Sequence, residues 1–280
     1  MSLAVRLQYV LPQQLLTRIV HAATRVRWTP WKNLLIRTIT RAYRVDIDEA
    51  ATTDLAAYPH FNAFFTRALK PGARPLDPDP RAVLMPADGR VSQAGAVAAG
   101  RIVQAKGHDY SVAELLADAD FARAFDGGVF ATIYLSPRDY HRVHLPVAGR
   151  LVETRHVPGR LFSVSPATVD TVPRLFARNE RLVCRFETAQ GPMAVVMVGA
   201  MLVSGVETVW GGVAIPPYAR AVGIVDHRAG PPVALDRGAE MARFNMGSTV
   251  VVLLPRGHAL AAGLTPGTPV RMGQRLGTLP

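Results

Sequence analysis

The chain has 280 residues, of which 49% are hydrophobic and 19% charged, so its length and composition exclude wholesale disorder and predict one or two domains with a buried core. Its single cysteine, Cys184, excludes an internal disulfide and any zinc or iron–sulfur site built from several cysteines. The formal charge of +11 predicts an anionic partner, and its distribution along the chain indicates which kind.

The positive charge is concentrated at the start of the chain. Residues 1–45 contain eight basic residues and no acidic one, whereas residues 46–280 carry 24 basic and 21 acidic side chains. A basic body would be typical of nucleic-acid binding, but a basic amphipathic segment on a nearly neutral body is typical of docking on an anionic membrane. We therefore predict a membrane-docking arm, residues 1–45, a separate domain, residues 46–280, and no nucleic-acid partner.

Two amphipathic helices are predicted in this arm. The first runs from about Gln13 to Trp28, and the second begins at Thr29-Pro30, an N-cap residue followed by a proline in the first turn. Arginines interrupt every apolar run before it reaches the ~20 residues of a membrane span, and no uncharged segment is typical of a secretory signal. Two other interpretations stay open: the arm packs on its own domain, or it is a mitochondrial transit peptide, being rich in arginine and free of acid.

The remaining chain is predicted to start with helices and continue with short strands. A helical pattern from Asp46 to Leu69 breaks near Tyr58-Pro59, Pro71 to Pro80 form a proline-rich connection, and a capping box predicts a short helix over Ser111–Ala117. Eight runs bounded by glycine and proline are predicted as strands: Ala82–Met85, Val91–Ala98, Val129–Leu135, Leu151–His156, Leu182–Glu187, Ala194–Val203, Val206–Trp210 and Thr249–Leu254. This order predicts the α+β class, with amphipathic N-terminal helices followed by a mainly antiparallel β body of sandwich-like or barrel-like form.

Three segments are dense in reactive side chains, although the chain has no P-loop, G-x-G-x-x-G, H-E-x-x-H or G-x-S-x-G motif. Asp88 lies in an Asp-Gly turn, His141 and His144 follow a predicted strand, and Gly247-Ser248 precede another strand. Each segment alone is typical of an ordinary turn or of surface histidines. The two histidines have no evident third ligand beside them, so no metal site is predicted.

Together, the three segments resemble the phosphatidylserine decarboxylase family, whose Leu-Gly-Ser-Thr processing motif appears here as Met246-Gly247-Ser248-Thr249. The methionine is the one departure, and it lies outside the reacting bond. The resemblance covers about residues 55–280, and further matching segments occur in order: Phe64-Phe65-Thr66-Arg67, Arg74-Pro75, His156–Val164, Asn179-Glu180-Arg181, Val198-Gly199-Ala200 and Val203 with Gly205 and Glu207. Their joint occurrence at this spacing makes the resemblance specific.

The resemblance implies a proenzyme that cuts itself. Ser248 Oγ would attack the carbonyl carbon of Gly247, and elimination followed by hydrolysis would leave a pyruvoyl group at position 248. His144 would act as the base and Asp88 would orient it, as in a Ser-His-Asp triad. The products would be a β chain, residues 1–247, and an α chain, residues 248–280, held together as a heterodimer.

The resemblance also implies the reaction and its place. The pyruvoyl cofactor would form a Schiff base with phosphatidylserine and accept the electrons released with CO2, giving phosphatidylethanolamine without an active-site lysine or a metal. His141 is the predicted proton donor, and Asp139 is a weaker candidate. The 29 arginines against three lysines are typical of a GC-rich bacterial genome, so we expect a peripheral protein on the cytoplasmic side of a bacterial cell membrane.

Three other functions remain open from the sequence. A serine hydrolase could use Asp88, His144 and Ser248 on added substrates. A pyruvoyl decarboxylase could act on a soluble amino acid, although such a substrate gives no reason for a membrane-docking arm. A membrane-docked β domain could bind a ligand without catalysis.

Overall fold

The computed structural model describes residues 3–105, 107–202, 205–216, 218 and 220–280. It confirms the α+β class, because short helices are followed by a mostly antiparallel β body. Val203, the predicted end of one strand and part of one family segment, lies outside the described residues. The helices are α1 Leu3–Val10, α2 Gln13–Ala23, α3 Thr29–Tyr43, α4 Phe61–Phe65, α5 Val112–Leu116, α6 Ala119–Ala122, α7 Pro166–Val169 and α8 Leu175–Arg178.

Each of the eight predicted strands overlaps an observed strand. The strands are β1 Ala82–Leu84, β2 Gly89–Ala96, β3 Arg101–Ala105, β4 His108–Ser111, β5 Val129–Tyr134, β6 Arg142–His144, β7 Gly149–Val157, β8 Arg181–Thr188, β9 Gly191–Val198, β10 Val206–Thr208, β11 Gly212–Ile215, β12 Gly223–Asp226, β13 Ala234–Leu235, β14 Glu240–Phe244, β15 Thr249–Leu254, β16 Ala259–Leu260, β17 Pro269–Val270 and β18 Arg275–Thr278.

The strands form one large antiparallel sheet and three smaller ones. The large sheet has nine strands in the order β12-β7-β8-β9-β15-β5-β2-β17, with β13 also paired to β7. A four-stranded sheet has the order β11-β10-β14-β6, a three-stranded sheet has the order β1-β18-β16, and β3 pairs with β4. Within the described residues these sheets do not close into a barrel.

Strand β15 occupies the middle of the large sheet. It pairs with β5 on one side and with β9 on the other, and all six of its residues are buried. The run Thr-Val-Val-Val-Leu-Leu suits this place, since strands covered on both faces are continuous apolar runs rich in β-branched residues. Val250 and Val252 pack into one hydrophobic core, whereas Val251 and Leu253 pack into a second core across the sheet. The position of residue 248 is therefore fixed from both faces.

The arm folds into the two predicted helices and one more, α1. The first predicted helix ends at Ala23, five residues before the expected Trp28. Pro30 lies in the first turn of α3, and a proline there could not continue a helix from upstream. No helix among the described residues is long and apolar enough to cross a membrane.

The helical prediction for Asp46 to Leu69 is wrong except for α4. Asp46 and Asp54 accept hydrogen bonds from the backbone N–H groups two residues later, and such local side-chain bonds favour turns over helix. A bridge between Ala50 and Leu69 holds the two ends of this segment together. Helix α4 starts only where His60 Nδ1 accepts the N–H of Ala63.

Candidate active site

Ser248 lies directly before β15 and is fully buried. Its carbonyl accepts a hydrogen bond of 2.8 Å from Leu135 N, at the end of β5. Its Oγ has no hydrogen-bond partner among the residues that the structure describes. A buried polar group left without a partner costs about 1–3 kcal/mol, so such a hydroxyl in the middle of a core calls for an explanation.

The backbone before Ser248 is strained. Met246 has a φ of 96°, a conformation that costs a residue with a β-carbon roughly 1–3 kcal/mol. The side chain of Met246 packs against an aromatic cluster that holds it in place. This cluster consists of Ile36, Val45, Tyr58, Phe61, Phe64 and Phe65. The strain therefore lies one residue before the Gly247-Ser248 bond.

Gly247 is in close contact with a histidine. A β-carbon built on Gly247 would lie 3.2 Å from His141 Nε2 and 3.2 Å from the carbonyl oxygen of Leu135. Both distances are shorter than ordinary packing contacts, so a larger residue would push the two groups away. Glycine is therefore the residue that fits at position 247 without displacing either group.

His141 is fully buried in a neutral form. Its Nδ1 lies 2.7 Å from the carbonyl oxygen of Asp139, which can only accept, so Nδ1 carries the hydrogen. Its Nε2, which faces Gly247, has a free lone pair and no partner within the described residues. Burial, together with the nearby charge of Arg67, lowers the pKa of His141 to about 3. The ring is held against Phe65, at 4.0 Å between ring centroids.

His144 is held in the same tautomer by a different carbonyl. Its Nδ1 lies 2.8 Å from the carbonyl oxygen of Gly238, which leaves Nε2 as the acceptor. Tyr140 OH lies 3.1 Å from that Nε2 and can donate to it. Burial lowers the pKa of His144 below its usual value. The imidazole is therefore neutral near pH 7 and has its basic nitrogen at Nε2.

Asp88 is bonded to groups that the sequence did not predict. Arg74 donates to both carboxylate oxygens at 2.5–3.0 Å, and Met272 N donates at 2.9 Å. Within the described residues no hydrogen bond joins Asp88 to His144 or His144 to Ser248. The nearest link is through the backbone, where His144 N donates to the carbonyl of Pro86 at 2.8 Å. The carboxylate of Asp88 and the imidazole of His144 thus bind other groups, whereas the hydroxyl of Ser248 has no partner within the described residues.

The glycine after Asp88 allows two strands to meet closely. Gly89 has a φ of 155°, and a β-carbon there would overlap the carbonyl oxygen of Tyr134 on β5. Because β5 pairs with β2 and with β15, this contact ties the Asp88 turn to the strand that follows Ser248. Glycine at position 89 is therefore required by packing as well as by its backbone conformation.

Two cavities border the site. An apolar cavity of about 410 Å³ runs from Ile39 and Tyr43 of α3 to Met246 and Gly247. A polar cavity of about 460 Å³ contains Asp88 in its wall. Among the described residues, no group of three histidine, cysteine, aspartate or glutamate side chains could hold a metal ion.

Comparisons with known proteins agree on one family. The family model for phosphatidylserine decarboxylase matches residues 61–278, and a second model, described as PSD, matches residues 3–44. A protein of Xanthomonas axonopodis pv. citri (strain 306), named phosphatidylserine decarboxylase proenzyme, is 61% identical over 99% of both chains. Proteins of the same name from Xanthomonas campestris pv. campestris (strain B100) and Stenotrophomonas maltophilia (strain R551-3) are 59% and 56% identical, over at least 98% of each chain.

Proposed function

Because the chain belongs to the phosphatidylserine decarboxylase family, we propose that it is a proenzyme that cuts itself at Gly247-Ser248 and then converts phosphatidylserine to phosphatidylethanolamine. One observation carries the position of the cut. Directly before a central strand, a buried serine hydroxyl without a partner among the described residues follows a strained residue and a glycine in close contact with its neighbours.

The cut is an acyl shift followed by an elimination. Ser248 Oγ bonds to the carbonyl carbon of Gly247 as the peptide C–N bond breaks, and the freed nitrogen takes the proton that Oγ loses. Removal of the Cα proton of residue 248 then expels the carboxylate of Gly247, which ends the β chain. Hydrolysis of the remaining enamine, through its imine form, releases ammonia and leaves the pyruvoyl group that begins the α chain. Strain at Met246 favours this sequence, because breaking the bond relieves it.

We assign His144 as the base for the acyl shift and Asp88 as the group that supports it. The carbonyl of Gly238 fixes the hydrogen on Nδ1, so Nε2 is free to take a proton once Tyr140 OH moves aside. Asp88, held by Arg74, adds negative charge near the imidazole and favours its protonated form. In this arrangement Gly238 has the tautomer-fixing role that the sequence analysis gave to Asp88.

Residue 248 fits a pyruvoyl cofactor, which needs no space beyond the serine from which it is made. The group supplies an electrophilic ketone that binds the substrate amine and accepts the electrons released with CO2. His141 moves the protons in our proposal. The negative charge of the bound substrate would raise the pKa of this imidazole, so that its Nε2 accepts a proton from the substrate ammonium group and returns it to the substrate carbon after CO2 has left. Asp139 contributes its carbonyl, which orients His141.

The arm supports peripheral docking on a membrane, because α1 and α2 direct several uncharged polar side chains toward the body and most of their large apolar side chains toward solvent. Gln8 Oε1 and Gln13 Oε1 accept hydrogen bonds from backbone N–H groups of the body, at 2.9 and 2.8 Å. Large apolar side chains of α1 and α2 are exposed instead: Leu3, Leu7, Val10, Leu15 and Ile19. A helix on the surface of a soluble protein usually buries its apolar side, whereas these two helices expose most of theirs. The exposed apolar side chains form a surface that could contact lipid, next to the basic residues of the arm. We place this surface on the anionic cytoplasmic leaflet of a bacterial membrane.

Intact mass spectrometry of the purified full chain tests the proposal. We expect two species, residues 1–247 and 248–280, with the smaller one starting at a blocked pyruvoyl group, and CO2 release from phosphatidylserine. Ser248→Ala should remain one species of 30.3 kDa, because it lacks the nucleophile. Ser248→Cys is the matched control, since it keeps a nucleophile of similar size and should still be cut. An active wild-type protein that stays uncut would contradict the proposal and favour a serine hydrolase.

A further inference from the structure

The polar cavity beside the active site has an unusual concentration of arginines. Five of them line it: Arg44, Arg67, Arg74, Arg138 and Arg271. Four carboxylates face them: Asp46, Glu49, Asp88 and Asp139. Two of these arginines are already neutralised, because Arg74 pairs with Asp88 and Glu49, and Arg271 pairs with Glu49.

The other three arginines have little or no compensation. Arg138 approaches Asp139 at only 3.6 Å, and that carboxylate also accepts two hydrogen bonds from Ser136. Neither Arg44 nor Arg67 has an ion pair within the described part of the chain. After these ion pairs are formed, three arginines remain against the carboxylates of Asp46 and Asp139, so the lining of the cavity keeps a net formal charge of +1.

Arg67 gives the strongest indication of a missing anion. Its side chain is almost fully buried, with 4% of its surface exposed. One nitrogen donates to the carbonyl of Arg138 at 3.2 Å, but Nε and Nη1 have no partner among the described residues. A buried cation with two open donors is costly unless an anion with several acceptor oxygens lies next to it. The guanidinium fork matches a phosphate or a carboxylate.

The basic cavity and the apolar cavity share their walls. At three places one residue lines the apolar cavity and a close neighbour in the chain lines the basic one: Tyr43 and Arg44, Phe65 and Arg67, and Pro137 and Arg138. An amphiphile with apolar chains and an anionic phosphate would match this pair of cavities. The end of α3, which belongs to the arm, borders both of them.

We propose that the basic cavity binds the phosphate group of a phospholipid headgroup, with Arg67, Arg138 and Arg44 as its cationic ligands. This inference rests on the proposed function, since it places the headgroup of the proposed substrate. The phosphate would be held by groups that do not change during the reaction. Such contacts bind the ground state and the transition state equally, so their loss raises KM and leaves kcat nearly unchanged.

Steady-state kinetics on phosphatidylserine dispersed in neutral detergent tests the site without the contribution of a charged membrane. Arg138→Gln, whose side chain is about half exposed, should be cut like wild type and show a KM raised about tenfold with kcat retained. Arg67→Lys should show a smaller rise than Arg67→Gln. Arg123→Gln is the matched control: that arginine is also exposed and lies beside an aspartate, but it lines neither cavity. An unchanged KM in a fully cut, active Arg138→Gln protein would overturn this inference and leave the proposed function intact.

A binding experiment separates the sources of the phosphate. Dispersed phosphatidylserine should raise the Tm of uncut Ser248→Ala protein at lower concentration than inorganic phosphate does. Addition of Arg138→Gln should remove most of either effect. If inorganic phosphate alone raised Tm and the lipid did not, the cavity would be a free-phosphate site and the headgroup assignment would be wrong. If wild type were neither cut nor active, the proposed function itself would fail.

Discussion

The two histidines of the site have the same protonation but face different groups. In both, a backbone carbonyl holds the hydrogen on Nδ1 and leaves Nε2 basic, yet only the Nε2 of His141 faces Gly247. The resemblance to the family assigns the acyl shift to His144, whereas the contact with Gly247 favours His141 for the step on residue 248. Single variants separate these roles.

We expect His144→Ala to remain largely uncut, with self-cleavage slowed by roughly 10²–10⁴-fold, because it loses the general base. His141→Ala should still be cut but release CO2 at a greatly reduced rate. Timed gels and CO2 release measure the two steps. His258→Ala is the control, since that imidazole is likewise held by a backbone carbonyl but lies away from residue 248. A cut His144→Ala protein together with an uncut His141→Ala protein would exchange the two assignments.

Burial of His141 also affects stability toward acid. Its pKa is about 3 in the folded chain and 6.5 when exposed, so between these pH values the unfolded chain binds more protons. Stability is therefore lost as pH falls below 6.5, with a slope that approaches about 1.4 kcal/mol per pH unit. Urea unfolding of uncut Ser248→Ala protein between pH 7 and 4.5 should show this slope, and adding His141→Leu should reduce it. Equal slopes for the two proteins would contradict the burial of a neutral imidazole.

At the residue scale, the motifs name candidate side chains but do not predict which hydrogen bonds these side chains form. Asp88, His144 and Ser248 were predicted as one bonded triad, whereas Asp88 binds Arg74 and His144 binds Gly238. Arg74 and Gly238 lie 14 and 94 positions from the residues that they bind, and no local sequence pattern predicts such hydrogen-bond partners. The pair Arg74-Pro75 was visible as a matching segment, but nothing in its spacing gave it a role.

At the scale of elements, α2 contacts the body through polar side chains and exposes apolar ones. Leu15 and Ile19 of α2 are 57% and 56% exposed, one turn apart, whereas Thr17 between them is buried and accepts the N–H of Leu202. A shortened chain starting at Asp46 would remove membrane binding, but it would also remove Ile36 from the aromatic cluster that holds Met246. Point variants on the exposed side are therefore cleaner tests.

We expect Leu15→Glu with Ile19→Glu to abolish sedimentation with vesicles rich in anionic lipid, because two charges replace the apolar contact. Self-cleavage and thermal stability should stay near wild type, since both side chains are exposed. Val213→Glu, at a 50% exposed apolar residue of β11, is the control and should bind vesicles normally. Wild-type binding should weaken as salt rises. Binding retained by the double variant would place the membrane contact elsewhere.

The sequence predicts long elements better than short ones. Strand β15 was predicted with its observed bounds, because a threonine followed by five consecutive apolar residues, bounded by turns, leaves few alternatives. Strands of two residues, such as β13 and β16, are too short to show the alternation of apolar and polar residues that predicts a strand. They are defined by their hydrogen bonds to β7 and β18. The helix predicted after Asp46 does not form over most of its length. The side chains of Asp46 and Asp54 accept hydrogen bonds from nearby backbone N–H groups, and these bonds favour turns over helix.

At the scale of the whole molecule, a cut at residue 248 would leave the two chains joined. The smaller chain contributes β15, which is hydrogen-bonded along its length to β5 and β9 of the larger chain, as well as the edge strand β17. We expect both chains to co-elute on gel filtration in native buffer and to separate only in denaturant. Uncut Ser248→Ala protein should elute at the same volume. Loss of the smaller chain in native buffer would contradict this pairing.

The central position of β15 also bears on how the protein is made. Its two neighbours, β5 and β9, precede it in the chain, so they are synthesised first during translation. The large sheet is complete only after residues 249–254 have left the ribosome and paired with both of these strands. The residues around the Gly247-Ser248 bond would take up their final geometry only at this late stage. For the cut proposed above, the order of synthesis would then set the time of maturation, and a nascent chain would be protected from premature scission without any inhibitor.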